Sequence, residues 1–146
     1  TNRIRWALGL KKEGETIYTT KSGTYLSNKD NLIILPKGSS YKWESTVPGL
    51  FSVIEFECDL ENDDILSLPL KNSEKIHRLF NEIEYKHITK TPMYKIEIIK
   101  PALKELLENS LSEQKEYVQK LLDKAEAGKK GGSTGGSTSG GTGGRI

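Results

Sequence analysis

Asn31-Leu-Ile-Ile-Leu-Pro36-Lys-Gly38-Ser-Ser-Tyr41-Lys-Trp43 is an apolar run stopped by a proline and restarted by two aromatics. Leu32 to Leu35 has the composition of a strand. Pro36 removes a backbone donor and fixes φ, and Gly38 permits the sharp reversal that follows. A second short strand, Tyr41 to Glu44, begins at once. Strand, Pro-x-Gly turn and aromatic strand together predict a corner beside the mouth of a small β-barrel.

Working outward, the N-terminal part keeps the same character. Ile4, Trp6, Leu8 and Leu10 alternate with Arg3, Arg5, Ala7 and Gly9, the period-two pattern of a half-buried strand, and Lys11 to Glu15 reads as a polar turn. Thr16 to Thr20 and Thr24 to Leu26 flank a tight Lys21-Ser22-Gly23 turn. Val47-Pro48-Gly49 then separates Tyr41 to Glu44 from a last long strand, Leu50 to Glu57. Short strands with a turn signal at each break predict a β-sandwich or barrel.

After Cys58 the period changes. Ser73 is the expected N-cap of a helix that places Ile76, Leu79, Phe80 and Ile83 on one face, and Thr89 to Pro92 breaks it. A second helix is expected over Tyr94 to Ser110, with Pro101 either kinking it or starting its main part. A third runs from Glu113 to Ala127, capped by Ser112 and ended by Gly128. Strands followed by two to three helices are an α+β layout. The expected division is a barrel over 1–60, a helical part over 61–128 and a flexible Gly/Ser/Thr linker or tag over 129–146.

Charge narrows the choice of partner. The net charge is +2, but Lys129, Lys130 and Arg145 lie in the tail, so the remainder nets −1 with both signs interspersed. No basic face suited to nucleic acid emerges. No apolar run reaches membrane-span length and no secretory signal is evident, which predicts a cytoplasmic protein. Cys58 is the single cysteine, so there is no disulfide framework and no thiolate zinc site. His77 and His87 lack a carboxylate at metal-ligand spacing, and Glu61 with Asp63 and Asp64 reads as a solvated loop. No catalytic residue, metal ligand or cofactor is assigned, and an enzyme is not expected.

The aromatics of the β part carry the functional reading. Arg3, Arg5, Trp6, Tyr18, Tyr25, Tyr41, Trp43 and Glu55 are the candidate ligand-binding residues, because aromatic walls with a few charged groups suit a small polar ligand. Ordinary core packing is the alternative, and strand alternation alone leaves both open.

With these residues in view, the chain resembles the N-terminal effector-sensing domain of AraC-family transcriptional regulators, which has a cupin fold. Trp6 to Leu10 matches the entering strand, Asn31 to Trp43 the Pro-x-Gly corner, and Phe51 to Phe56 the closing strand. Leu106-Leu107-Glu108 lies where the family has paired helices after the barrel. The likeness spans about residues 3 to 126. Metal-binding cupins carry a histidine where Tyr41 stands, which favours a sensor over an enzyme. The family's two helix-turn-helix units are absent, so DNA is expected to be contacted only through a domain missing from this chain. The resemblance implies a cupin-type, jelly-roll-like barrel, a small-molecule effector and a homodimer. A carbohydrate is the expected effector, although Arg3 and Arg5 would favour an anion. Leu103, Leu106, Leu107 and Leu111 are the expected dimer contacts. A small cupin enzyme with an unrecognised metal site and a ligand-free dimerisation scaffold are the competing readings.

Overall fold

The computed structural model describes residues 3–62, 64–86 and 93–131. Asp63, His87, the Thr89–Pro92 break and residues 132–146 lie outside them. The fold is α+β: among the described residues eight strands form two open sheets, and three helices follow most of them. The elements are β1 Trp6–Lys11, β2 Glu15–Thr20, β3 Gly23–Ser27, β4 Asn31–Leu35, β5 Lys42–Val47, β6 Phe51–Glu57, β7 Leu66–Pro69, α1 Ser73–Lys86, β8 Met93–Lys95, α2 Lys100–Asn109 and α3 Ser112–Gly131. The five-stranded sheet has the order β7-β4-β1-β6-β8 and the three-stranded sheet the order β3-β2-β5. Among the described residues the two sheets stay open and do not close into the expected single barrel.

Pairing is antiparallel throughout, except that β8 runs parallel to β6. The larger sheet sorts its side chains by the period of two. Leu8 faces Ile34 and Ile54 across the strands, and Trp6 faces Phe56, so one side of the sheet is continuously apolar. Ile76, Phe80 and Ile83 of α1, Leu103 and Leu106 of α2, and Val118, Leu121 and Leu122 of α3 complete this main core. The opposite side of the sheet is sparser. Ala7, Ile33, Leu35 and Ile65 form a small second cluster, against which Tyr18, Tyr25 and Tyr41 pack.

β1 is therefore buried on both faces rather than on one. Gly9 explains how its second face is accommodated, since a Cβ there would meet Ile33 Cγ2 at 2.7 Å. Lys11, expected in a polar turn, is instead the last residue of this central strand.

Other boundaries also differ from the sequence reading. Tyr94 to Ile99 is not α-helix: β8 is followed by a 3₁₀ turn, Ile96–Ile99, and Pro101 sits in the first turn of α2. That position suits proline, whose missing N–H has no intrahelical acceptor there. Asn72, not Ser73, supplies the cap of α1: its Oδ1 accepts a hydrogen bond from the Lys75 N–H at 3.3 Å. α3 continues through Gly128 to Gly131. Among the described residues no helix is long and apolar enough to cross a membrane.

The Pro36 corner forms as expected and organises what lies beside it. Gly38 takes φ 96°, and the Ser39 N–H and hydroxyl both donate to the Pro36 carbonyl, at 3.1 and 2.6 Å. The corner also grips the N-terminal segment. Arg3 N–H donates to Ser39 O, and Gly38 N–H donates to Arg3 O, each at 2.8 Å. These two bonds fix the backbone from which the Arg3 side chain extends.

Candidate functional site

A cavity of about 420 Å³ lies between the two sheets, on the side of the larger sheet that the helices do not cover. Its wall on the larger sheet comes from Gly9, Lys11, Leu35, Phe51 and Val53. The facing wall comes from Thr16, Tyr18, Ser27, Trp43 and Ser45. The cross-strand partners explain this second wall. Tyr18 stands opposite both Tyr25 and Trp43, while Thr16 stands opposite Ser27 and Ser45, so these residues share one face.

At one end the cavity is closed by a network built on Arg3. Its guanidinium donates to the Tyr41 hydroxyl at 2.9 Å and to Glu55 Oε2 at 2.7 Å, and Nε donates to the Arg5 carbonyl at 3.1 Å. Arg5 Nη1 adds a longer ion pair to Glu55 Oε1 at 3.7 Å. The Tyr41 ring meets Tyr18 edge-on at 5.3 Å. Burial pushes the Tyr18 phenol above its ordinary pKa, with Tyr41 adding to the rise and the Arg3 charge opposing it. Tyr18 thus presents a protonated hydroxyl at neutral pH, and nothing among the described residues hydrogen-bonds to it.

The other end holds Lys11, which is only 5% exposed. Its Nζ donates to the Gly49 carbonyl at 3.4 Å and lies 5.4 Å from the centroid of the Phe51 ring. The rim is apolar: Trp43 is 66% exposed, Phe51 64% and Val53 40%, with Val47 and Leu50 exposed beside them.

Of the eight residues anticipated from the sequence, Arg3, Tyr18, Tyr41 and Trp43 line this cavity. Glu55 stands one bond behind it as the partner of Arg3. Tyr25 packs on the small inter-sheet cluster and is not part of the lining. Trp6 belongs to the opposite side of the sheet. It is buried in the main core beside Phe56 and Tyr117, and its Nε1–H donates to the Leu60 carbonyl at 2.7 Å. Trp6 follows the register of Leu8 and Leu10, so it shares their helix-covered face. Arg5 lines a separate groove of about 660 Å³ between the end of β6 and α3, together with Lys37, Cys58 and Lys124. In that groove Lys124 is tied to Asp59 at 2.8 Å, and burial pushes the Cys58 thiol up, which keeps it protonated and a poor nucleophile.

The sequence reading missed Lys11, Thr16, Ser27 and Ser45. The period of two held the signal, because Lys11 continues the Ala7-Gly9 face and Thr16 shares the face of Tyr18.

The expected dimer contacts need correction. Leu103 and Leu106 are wholly buried in the main core and cannot meet a second chain, and Leu107 packs partly against that core. α2 has more leucine than one contact face requires because it packs on α1, α3 and β7. Leu111 alone of the four is well exposed, at 55%. His77 Nε2 lies 3.0 Å from the Lys29 carbonyl, and Asp64 accepts a hydrogen bond from the Ser22 hydroxyl at 2.9 Å. Among the described residues no three His, Cys, Asp or Glu side chains are grouped to hold a metal ion.

Comparison of the chain with protein-family models, curated proteins and solved structures finds no match.

Proposed function

We propose that the chain is the ligand-sensing domain of an AraC-like transcriptional regulator, and that its two sheets are an opened version of a cupin-type, jelly-roll-like barrel. The observation that carries this reading is the cavity between the sheets. The main core lies elsewhere, under the helices, and between the sheets only the small cluster of Ala7, Ile33, Leu35 and Ile65 is packed beside the cavity. It contains aromatic rings, hydroxyls and two cationic side chains around a volume in the range of small-molecule sites. The Pro36-Lys37-Gly38 corner holds one end of it, as the family resemblance implies.

On this reading the effector enters past Trp43 and Phe51. Contact with both sheets makes its affinity depend on how they are docked, and that difference is what a regulator transmits. DNA would be contacted by a segment outside this chain. The reading needs no dimer contact through Leu103 or Leu106.

Trp43 supplies the assay, since it stands at the mouth while Trp6 is buried in the core. Neutral pentoses and hexoses and small carboxylic acids are screened by thermal shift and by tryptophan fluorescence. At least one group should raise the melting temperature and change the Trp43 signal in a Trp6→Phe background. Silence from every compound in both assays would remove the sensor reading.

A further inference from the structure

Resting on the sensor reading, we infer that the cavity takes a small organic anion, a monocarboxylate with an apolar body, and that the Lys11 ammonium receives its charge. Lys11 is 95% buried, yet no carboxylate among the described residues lies within ion-pair distance of it. Other cations of the chain are answered: Arg3 by Glu55, Lys75 by Glu105, Lys124 by Asp59. An ammonium has three donors, and Gly49 O accepts from only one of them. A buried charge is costly unless it is paired, so this one is matched to a counter-charge that arrives from outside.

The remaining lining gives the rest of the ligand. Among the described residues no Asp, Glu, Asn, Gln or His lines the cavity. A sugar brings many hydroxyl donors and would find few acceptors here beyond the hydroxyls of Thr16, Tyr18, Ser27 and Ser45 and Gly49 O. A carboxylate brings only acceptors, which suit Lys11, the serine and threonine hydroxyls and the free Tyr18 hydroxyl. Phe51, Val53 and Trp43 then cover an aromatic or alkyl body.

The test uses benzoate, phenylacetate, 3-phenylpropanoate and hexanoate at pH 7, each beside its primary amide, with neutral pentoses and hexoses as the third set. Binding is read by two-dimensional NMR titration of the whole chain. At least one acid should bind, with its amide at least about tenfold weaker. Lys11→Met should lose about tenfold or more in affinity for the acid, and Lys12→Met, which alters an exposed neighbour, should not. An amide as tight as its acid, or undiminished acid binding by Lys11→Met, overturns the anion inference and leaves the sensor reading standing. Sugar binding without acid binding has the same consequence. If nothing in the three sets binds, both fall. Should Lys11→Met fail to fold, the acid-to-amide ratio on the unaltered chain decides alone.

Discussion

Tyr117→Phe should make this protein more stable, although it removes a polar group and adds nothing. Tyr117 lies in α3 with its ring edge-on to Trp6 at 6.2 Å, and its hydroxyl is buried with no hydrogen-bond partner among the described residues. Phenylalanine keeps the ring and its packing and removes only the unsatisfied oxygen. A buried hydroxyl without a partner costs about 1–3 kcal/mol, so a gain of about 1–2 kcal/mol is expected. For a domain of this size that is a rise in melting temperature of roughly 3–8 °C. Urea unfolding should show a higher midpoint at unchanged slope.

The same hydroxyl gives the effect a pH signature. Burial holds the folded-state pKa of Tyr117 far above the ordinary phenol value, with Asp64 and Cys58 adding to the rise. Its folded form keeps the proton where the unfolded chain releases it. Stability linked to this group is therefore intact below about pH 10 and falls as pH rises beyond it. Phenylalanine cannot ionise in either state, so the advantage of the variant should widen by about 0.8 kcal/mol at pH 10.5. A variant no more stable than the parent at pH 8, with an equal slope, would show that the hydroxyl has a partner and refute the reasoning.

Three further substitutions separate the roles assigned above. Leu106→Ala should cost about 2–5 kcal/mol in urea unfolding, because the side chain is wholly buried, whereas Leu111→Ala should change stability by less than about 0.5 kcal/mol. Equal costs would undo the placement of α2. Trp43→Ala should leave the unfolding midpoint within about 1 kcal/mol of the parent while weakening any ligand that enters the cavity, and a large loss of stability would make Trp43 a core residue. Asp59→Asn tests the pair with Lys124, which holds the Asp59 carboxyl below its ordinary range through a hydrogen bond and the lysine charge. Its contribution is present above about pH 4 and lost as pH falls through the lowered value, so parent and variant should differ slightly at pH 7 and converge once the pH is below that lowered value.

Local patterns made much of this fold legible, and non-local pairing hid the rest. β1 to β6 announce themselves by alternation and by turns such as Pro36-Lys37-Gly38, while α1 and α3 do so by the spacing of Ile76, Phe80 and Ile83 or of Val118, Leu121 and Leu122. β7 and β8 are only four and three residues long, and they exist because β4 and β6 offer them edges to pair with. Nothing within Met93–Lys95 alone specifies a strand. The site was half legible for a related reason. Aromatic content pointed to Tyr18, Tyr41 and Trp43, but which face of a strand looks inward depends on what covers the other face. Trp6 and Lys11 belong to the same strand and face opposite layers. The aromatic drew notice as a ligand contact and the lysine was read as turn, and both assignments reversed once the helices covered the Trp6 side.

That division between layers also says which part of the molecule a ligand should stiffen. Helices and the larger sheet share an extensive aliphatic core, whereas the smaller sheet is held to it by Ala7, Ile33, Leu35 and Ile65 and a few tyrosines. A molecule bound between Lys11 on one sheet and Tyr18 and Trp43 on the other adds contacts only to the weaker seam. Segments with few buried contacts open at low free energy, and a ligand that binds only the closed form suppresses that opening. Amide exchange in β2 and β5 should therefore slow on ligand addition, by about 100-fold at a ligand concentration 100 times its Kd. Exchange in α1 and α2, which contribute no residue to the cavity lining, should slow less wherever its opening leaves the seam closed. Equal protection everywhere would mean that the two layers open together, and the seam would then lose its role as the element that responds to ligand.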